Sequence, residues 1–96
     1  WTPIASMGHA RCRFGAVVHD DQIYIAGGFD GDNALATVEI INPLDAAPVW
    51  KFAAPMSKPR GAPASCVLDG QLYVFGGHDS TQVWADCERF NPETDS

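Results

Sequence analysis

Two stretches decide the fold: Ile23-Tyr-Ile-Ala-Gly-Gly28 and Leu72-Tyr-Val-Phe-Gly-Gly77. Each is a short apolar run closed by a pair of glycines, and they stand 49 residues apart. Sliding the sequence by that amount brings other residues into register without a gap. Trp1 falls on Trp50, Met7 on Met56 and Arg11 on Arg60; Asp20, Gln22 and Tyr24 fall on Asp69, Gln71 and Tyr73; Glu39, Asn42 and Pro43 fall on Glu88, Asn91 and Pro92. Self-similarity at a fixed period of 20–50 residues marks a repeat architecture. The chain therefore divides into two units, residues 1–49 and 50–96.

Each unit reads as a set of short strands. Phe14–Val18 and Gln22–Ala26 are apolar runs separated by Asp20-Asp21, and their counterparts Ala64–Leu68 and Gln71–Phe75 are separated by Asp69-Gly70, a strong two-residue hairpin signal. Thr37–Ile41 is a third strand, ended by Asn42-Pro43, where proline cannot continue a ladder. Val49–Phe52 supplies a fourth, and Ala85–Phe90 repeats the third in the second unit. No segment keeps an apolar period of 3.6, so an all-β chain without helix is expected. The near-continuous apolar character of the first two strands predicts burial on both faces, which only stacked neighbouring sheets can provide.

Composition narrows the function. The net charge of −6 does not suit nucleic acid, which calls for a basic surface. No apolar run reaches the ~18 residues of a membrane span, and no signal-peptide pattern is visible. The three cysteines, Cys12, Cys66 and Cys87, fit no zinc spacing and no paired disulfide framework. They suit a reducing, cytoplasmic compartment, with Cys66 and Cys87 expected to pack as small apolar side chains. His9, His19 and His78 have no ligand spacing. Neither metal nor cofactor is expected.

A unit of this length, with four strands and Gly-Gly closing the second, resembles the kelch repeat, and the resemblance covers the whole chain. It rests on Arg11, Ile23–Gly28, Phe29-Asp-Gly31, Glu39 and Asn42-Pro43 in the first unit, and on Arg60, Leu72–Gly77, Glu88 and Phe90–Ser96 in the second. The resemblance implies two four-stranded propeller blades belonging to a ring most often six-bladed. It also implies that Arg11 and Arg60 hold adjacent loops through backbone carbonyls. Physical reasons agree. Gly27, Gly28, Gly76 and Gly77 allow a sharp turn or close backbone approach. Tyr24, Tyr73 and the tryptophans, Trp1 and Trp50 among them, are expected to fill the gap between wedge-shaped blades. Ile41 departs from the family pattern, which usually has Tyr or Phe there.

The resemblance also suggests a ligand site. In degron-binding kelch-like proteins an arginine at the place of Arg13 grips acidic peptide, and a tyrosine often stands where this chain has Phe29. His78 is the matching residue of the second unit, and Ala62 the match of Arg13. Asp30, Asp32 and Asp79 on the same loops work against an acidic ligand. Some copper oxidases use kelch-like propellers, but three scattered histidines fit that chemistry poorly.

The function expected is a non-enzymatic protein-binding or scaffolding module. Alternatives are the propeller of a ubiquitin-ligase substrate adaptor and a carbohydrate-processing propeller enzyme. Two blades cannot close a ring, since propellers need at least four. Joining Ser96 of one copy to Trp1 of another restores the ordinary repeat spacing. Trp1–Ile4 is then the outer strand of a preceding blade, and the second unit takes its outer strand from another copy. Three such chains make six blades, so a cyclic homotrimer is expected, with two or four chains, or excision from a longer propeller, as alternatives.

Overall fold

The computed structural model describes residues 1–96 and contains seven strands and no helix. These are β1 (Gly15–His19), β2 (Gln22–Ala26), β3 (Val38–Ile41), β4 (Lys51–Ala53), β5 (Ala64–Leu68), β6 (Gln71–Phe75) and β7 (Cys87–Phe90). They form two antiparallel meanders, one ordered β1-β2-β3-β4 and the other β5-β6-β7. The all-β architecture of two blades is thus as expected. No helix is long and apolar enough to cross a membrane.

The hairpin turns follow from residues that tolerate left-handed backbone. Asp20 and Asp21 have φ of 51° and 61°, and Asp69 and Gly70 have 53° and 76°. Positive φ at both central residues is the primed turn whose twist matches that of the flanking strands. Three strands are shorter than their apolar runs. The β2–β3 ladder stops at Val38 because the Thr37 carbonyl is shared between the Gly27 amide (3.0 Å) and the Arg11 guanidinium (3.1 Å). Asp86 ends β7 in the same way, accepting from Gly76 N and from Arg60. Trp50 stays outside β4, its indole N–H donating to the Ala5 carbonyl at 2.8 Å.

The sheets stack face to face. Strand register places Val17, Tyr24, Ala26 and Val38 on one face of the first sheet, and Leu72, Val74, Glu88 and Phe90 on one face of the second. Between them lie the buried Ala26, Val38 and Val74, with Ala53 and Met56 packed alongside. The Tyr24 and Phe90 rings meet at 6.3 Å. Four backbone hydrogen bonds stitch the units together: Gly28 N to Arg60 O, Arg60 N to Leu35 O, Met56 N to Ala36 O and Ala62 N to Arg13 O, at 2.7–2.9 Å.

Burial is concentrated at this junction and on the opposite side of the first sheet around Ile25, Glu39 and Ile41. Thirteen of 96 residues are buried, and the surface of 5980 Å² exceeds the ~5,400 Å² of a compact monomer of this mass. On the far face of the second sheet, Cys66, Leu68 and Phe75 are exposed. Cys66 and Cys87 are therefore not packed as apolar side chains: the register puts Cys66 beside Tyr73 and Cys87 beside Phe75, on a face that nothing in the chain covers. Trp1, expected to fill a gap between blades, is fully exposed, and Trp1–Ile4 forms no strand.

Candidate functional site

The loops after the double glycines form one end of the two-blade unit. In the first sheet the chain leaves β2 through Gly27 and Gly28, with φ of 68° and 94°. A Cβ on Gly28 would stand 2.5 Å from the Cys12 carbonyl, and one on Gly27 would collide with the Arg60 carbonyl. Glycine is needed at both places for conformation and for space. Beyond the turn, Phe29 pairs with Cys12 through reciprocal backbone hydrogen bonds of 2.8 and 2.9 Å. His78 pairs with Gly61 in the same way, at 2.8 and 3.0 Å.

These pairings bring the three candidate ligand residues together. Arg13, Phe29 and His78 line one open depression of about 340 Å³, with Cys12, Gly31, Asp32 and Ser80 completing its wall. The Phe29 and His78 rings lie 5.1 Å apart, tilted by 49°. Arg13 is exposed, and its φ of 54° projects it from a left-handed turn that Ala62 reproduces in the second unit with the same φ. Asp30 and Asp79, across the loops, serve their own turns. Backbone amides of Asn33 and Asp32 hold the Asp30 carboxyl below its ordinary range, and those of Gln82 and Thr81 do the same for Asp79.

Beneath the loops sit two ion-pair clamps. Arg11 donates to the carbonyls of Gly27 (2.8 Å) and Thr37 (3.1 Å), to Thr37 Oγ1 (2.9 Å) and to Glu39 Oε2 (2.6 Å). Arg60 donates to the carbonyls of Gly76 (2.8 Å) and Asp86 (3.2 Å), and through Nε and Nη2 to Glu88 Oε2 (3.1 and 2.9 Å). A planar five-donor guanidinium suits such a branching task. Burial pushes the carboxyl of Glu39 up, but the amides of Gly8 and His9 and the Arg11 guanidinium outweigh it and hold Glu39 below the ordinary range. Glu88 balances in the same direction, through the Ser57 amide and Arg60. The glutamates were visible in sequence as repeat matches but not as partners of the arginines. The signal was there: each pair is separated by 28 residues. The clamps differ in two respects: Arg11 Nε is buried without a partner whereas Arg60 Nε is bonded, and Arg60 also pairs with the Asp86 carboxylate (3.0 Å) where Arg11 meets the Thr37 hydroxyl.

Tyr24 is buried at the junction and Tyr73 is half-buried, stacked on Phe75 at 6.4 Å. Trp50 is half-buried.

Two antiparallel meanders, stacked face to face and closed at one end by glycine-turned loops over arginine clamps, are blades of a β-propeller. The Kelch motif model matches residues 10–57 and 59–96, and the chain belongs to the kelch-repeat family. Spermatocyte protein spe-26 of Caenorhabditis elegans is 48% identical over 44 residues, which is 46% of this chain and 8% of that protein. Among solved structures, YjhT aligns with a TM-score of 0.85 at 24% identity, covering 97% of this chain and 28% of YjhT. A fungal alcohol oxidase of the AA5 family, in complex with copper, aligns with a TM-score of 0.81 at 23% identity, covering 90% of this chain and 21% of the oxidase. At such identities the structural likenesses bear on the fold alone. The chain spans under a third of each of these proteins.

Proposed function

We propose that the chain is a protein-binding module, a pair of propeller blades whose loop face takes a peptide segment at Arg13, Phe29 and His78. The observation that carries this reading is their convergence on one depression, although they come from three places in the sequence. Function in such folds resides in loop sites on a rigid scaffold. Arg13 offers a charged fork for a carboxylate, and the tilted rings of Phe29 and His78 offer an apolar wall. The ligand this suits is a peptide with one acidic side chain beside an apolar one. Asp32, on the same wall, disfavours a run of acidic residues. The kelch motifs support the binding reading. Service as a ubiquitin-ligase adaptor has only the family behind it, and a carbohydrate-processing or oxidase role has only the fold. The reading includes self-assembly of two-blade chains into a closed ring, with six blades and three chains favoured.

The test is a fluorescence-polarisation screen of labelled peptides pairing one Glu or Asp with one Leu, Phe or Trp. Arg13→Ala should weaken the best binder by about 1–3 kcal/mol, the range for a charged hydrogen bond. Binding that ignores Arg13 and depends instead on β4 or β7 would place the ligand surface elsewhere.

A further inference from the structure

The junction between the two units is built from groups whose repeat mates lie free at the two ends of the molecule. Across the junction the donors are Gly28 N, Arg60 N, Met56 N and Ala62 N, and the acceptors are Arg60 O, Leu35 O, Ala36 O and Arg13 O. Moving each group by one repeat gives, on the second blade, Gly77 N, Trp84 O, Ala85 O and Ala62 O. On the first blade it gives Arg11 N, Arg11 O, Met7 N and Arg13 N. None of these eight groups has a backbone partner within the chain.

The apolar faces follow the same rule. The far side of the second sheet presents Ala64, Cys66, Leu68, Tyr73 and Phe75. These are the mates of Gly15, Val17, His19, Tyr24 and Ala26, the face of the first sheet that meets the second. The far side of the first sheet leaves Ala16 and Val18 exposed and Ile23 half-buried, while Ile25 on that side is already covered within the chain; the four are the mates of Ser65, Val67, Leu72 and Val74. The one charge on the uncovered second face, Arg89, takes the place of Ile40. Ile40 lines the open cleft at the outer margin of the junction, so an arginine there keeps its head in water. Trp50 donates its indole N–H to Ala5 O. The mate of Ala5 is Ala54, which borders an apolar hollow of about 110 Å³ together with Arg89 and Phe90 of β7. The mate of Trp50 is the exposed Trp1.

We infer that copies of this chain stack head to tail, the second sheet of one on the first sheet of the next, in the register of the intrachain junction. Trp1–Ile4 of the next copy lies along β7 as its fourth strand, with the Trp1 indole on Ala54. A heterologous contact of this kind closes into a ring when its rotation divides a full turn. The inference rests on the self-assembly part of the proposal above and is independent of the ligand depression. It fixes strand register. In the first sheet Val38 stands opposite Ala53 and Ile40 opposite Lys51, so Cys87 of one copy stands opposite Ile4 of the next, and Arg89 opposite Thr2.

The experiment uses the native thiol of Cys87. In a Cys12→Ser, Cys66→Ser background, Ile4→Cys places a second thiol directly across the strand pair, where Cβ atoms lie ~4.5–5.5 Å apart and a disulfide can form with small adjustment. Mild oxidation should convert most of the protein to covalent oligomers on a non-reducing gel, and peptide mapping should find a 4–87 linkage. Restoring Ile4 or adding Cys87→Ser should abolish it. Thr2→Cys with Arg89→Cys, in a background also lacking Cys87, tests the same register should Ile4→Cys fail to fold. Light scattering coupled to size exclusion gives the mass of the unmodified chain. A 10.3 kDa species at micromolar concentration would overturn self-assembly and with it this inference, leaving both faces to neighbouring repeats of a longer chain. A stable oligomer that gives neither linkage would overturn the register while leaving self-assembly standing.

Discussion

Gly61 lies against the ring of Phe29, and a Cβ at residue 61 would fall inside the ring's van der Waals envelope. The first unit has Cys12 at the equivalent position, so the two units are not interchangeable here. Gly61 has no positive φ; the space taken by the aromatic ring is what requires glycine.

Gly61→Ala should therefore destabilise the chain by about 1–3 kcal/mol, the range for overpacking, and Phe29→Leu should relieve most of that loss. Urea midpoints of the two single variants and the double variant form the required cycle. Additive losses would show that Phe29 simply swings away. The same displacement should disturb the depression, since Phe29 is part of its wall.

Gly27 and Gly70 have nearly the same backbone, with φ of 68° and 76°, but different surroundings. Nothing lies within 4 Å of a Cβ at Gly70, whereas one at Gly27 collides with the Arg60 carbonyl. Alanine at residue 70 should cost about 1–2 kcal/mol, the left-handed penalty alone. Alanine at residue 27 should cost clearly more, because it also forces the blades apart at the Gly28–Arg60 hydrogen bond. Equal losses in chemical denaturation would mean that the junction yields freely.

Acid should unfold this chain through its clamps. Glu39 and Glu88 are held below their ordinary carboxylate range in the folded state, while in the unfolded chain they return to ~4.3. The unfolded state thus binds protons first as pH falls. The stability the clamps contribute is fully present above about pH 5 and is lost progressively below it, through the folded values. Asp30, Asp79 and Asp86 add in the same direction. Glu39→Gln should lose about 3–5 kcal/mol at pH 7, because Arg11 keeps a buried charge without its one carboxylate partner. It should also show a shallower fall between pH 5 and 3. Urea midpoints across that range, with an unchanged slope in the variant as the contrary result, check both statements.

The repeat, the hairpins and the double-glycine turns were legible in the sequence because they are local. Asp69-Gly70 and Gly27-Gly28 need particular φ values wherever they occur, and short apolar runs bounded by turn residues assign β5 and β6 to a sheet without knowledge of their neighbours. The candidate residues Arg13 and Phe29 were reached through the resemblance to degron-binding kelch-like proteins and His78 as the repeat match of Phe29, and the three meet once the blades stack. The Arg11–Glu39 and Arg60–Glu88 pairs were present as repeat matches. A separation of 28 residues becomes a contact only after β3 returns beside β2 and carries its glutamate under the arginine.

The amino-acid order alone determined which residues form strands, where the turns fall and that two equivalent units exist, since these depend on backbone sterics and side-chain alternation within a few residues. Tertiary structure decided which faces are covered. Cys66, Phe75 and Trp1 read as core residues in sequence but stand exposed, while Glu39, read as a repeat match, and Arg60, read as a loop-holding arginine, are fully buried. The reason is that burial depends on what lies across the sheet. Two stacked blades supply one shared interior, in which Arg60 is met by Glu88 and Asp86, while the far face of the second sheet has nothing across it within the chain.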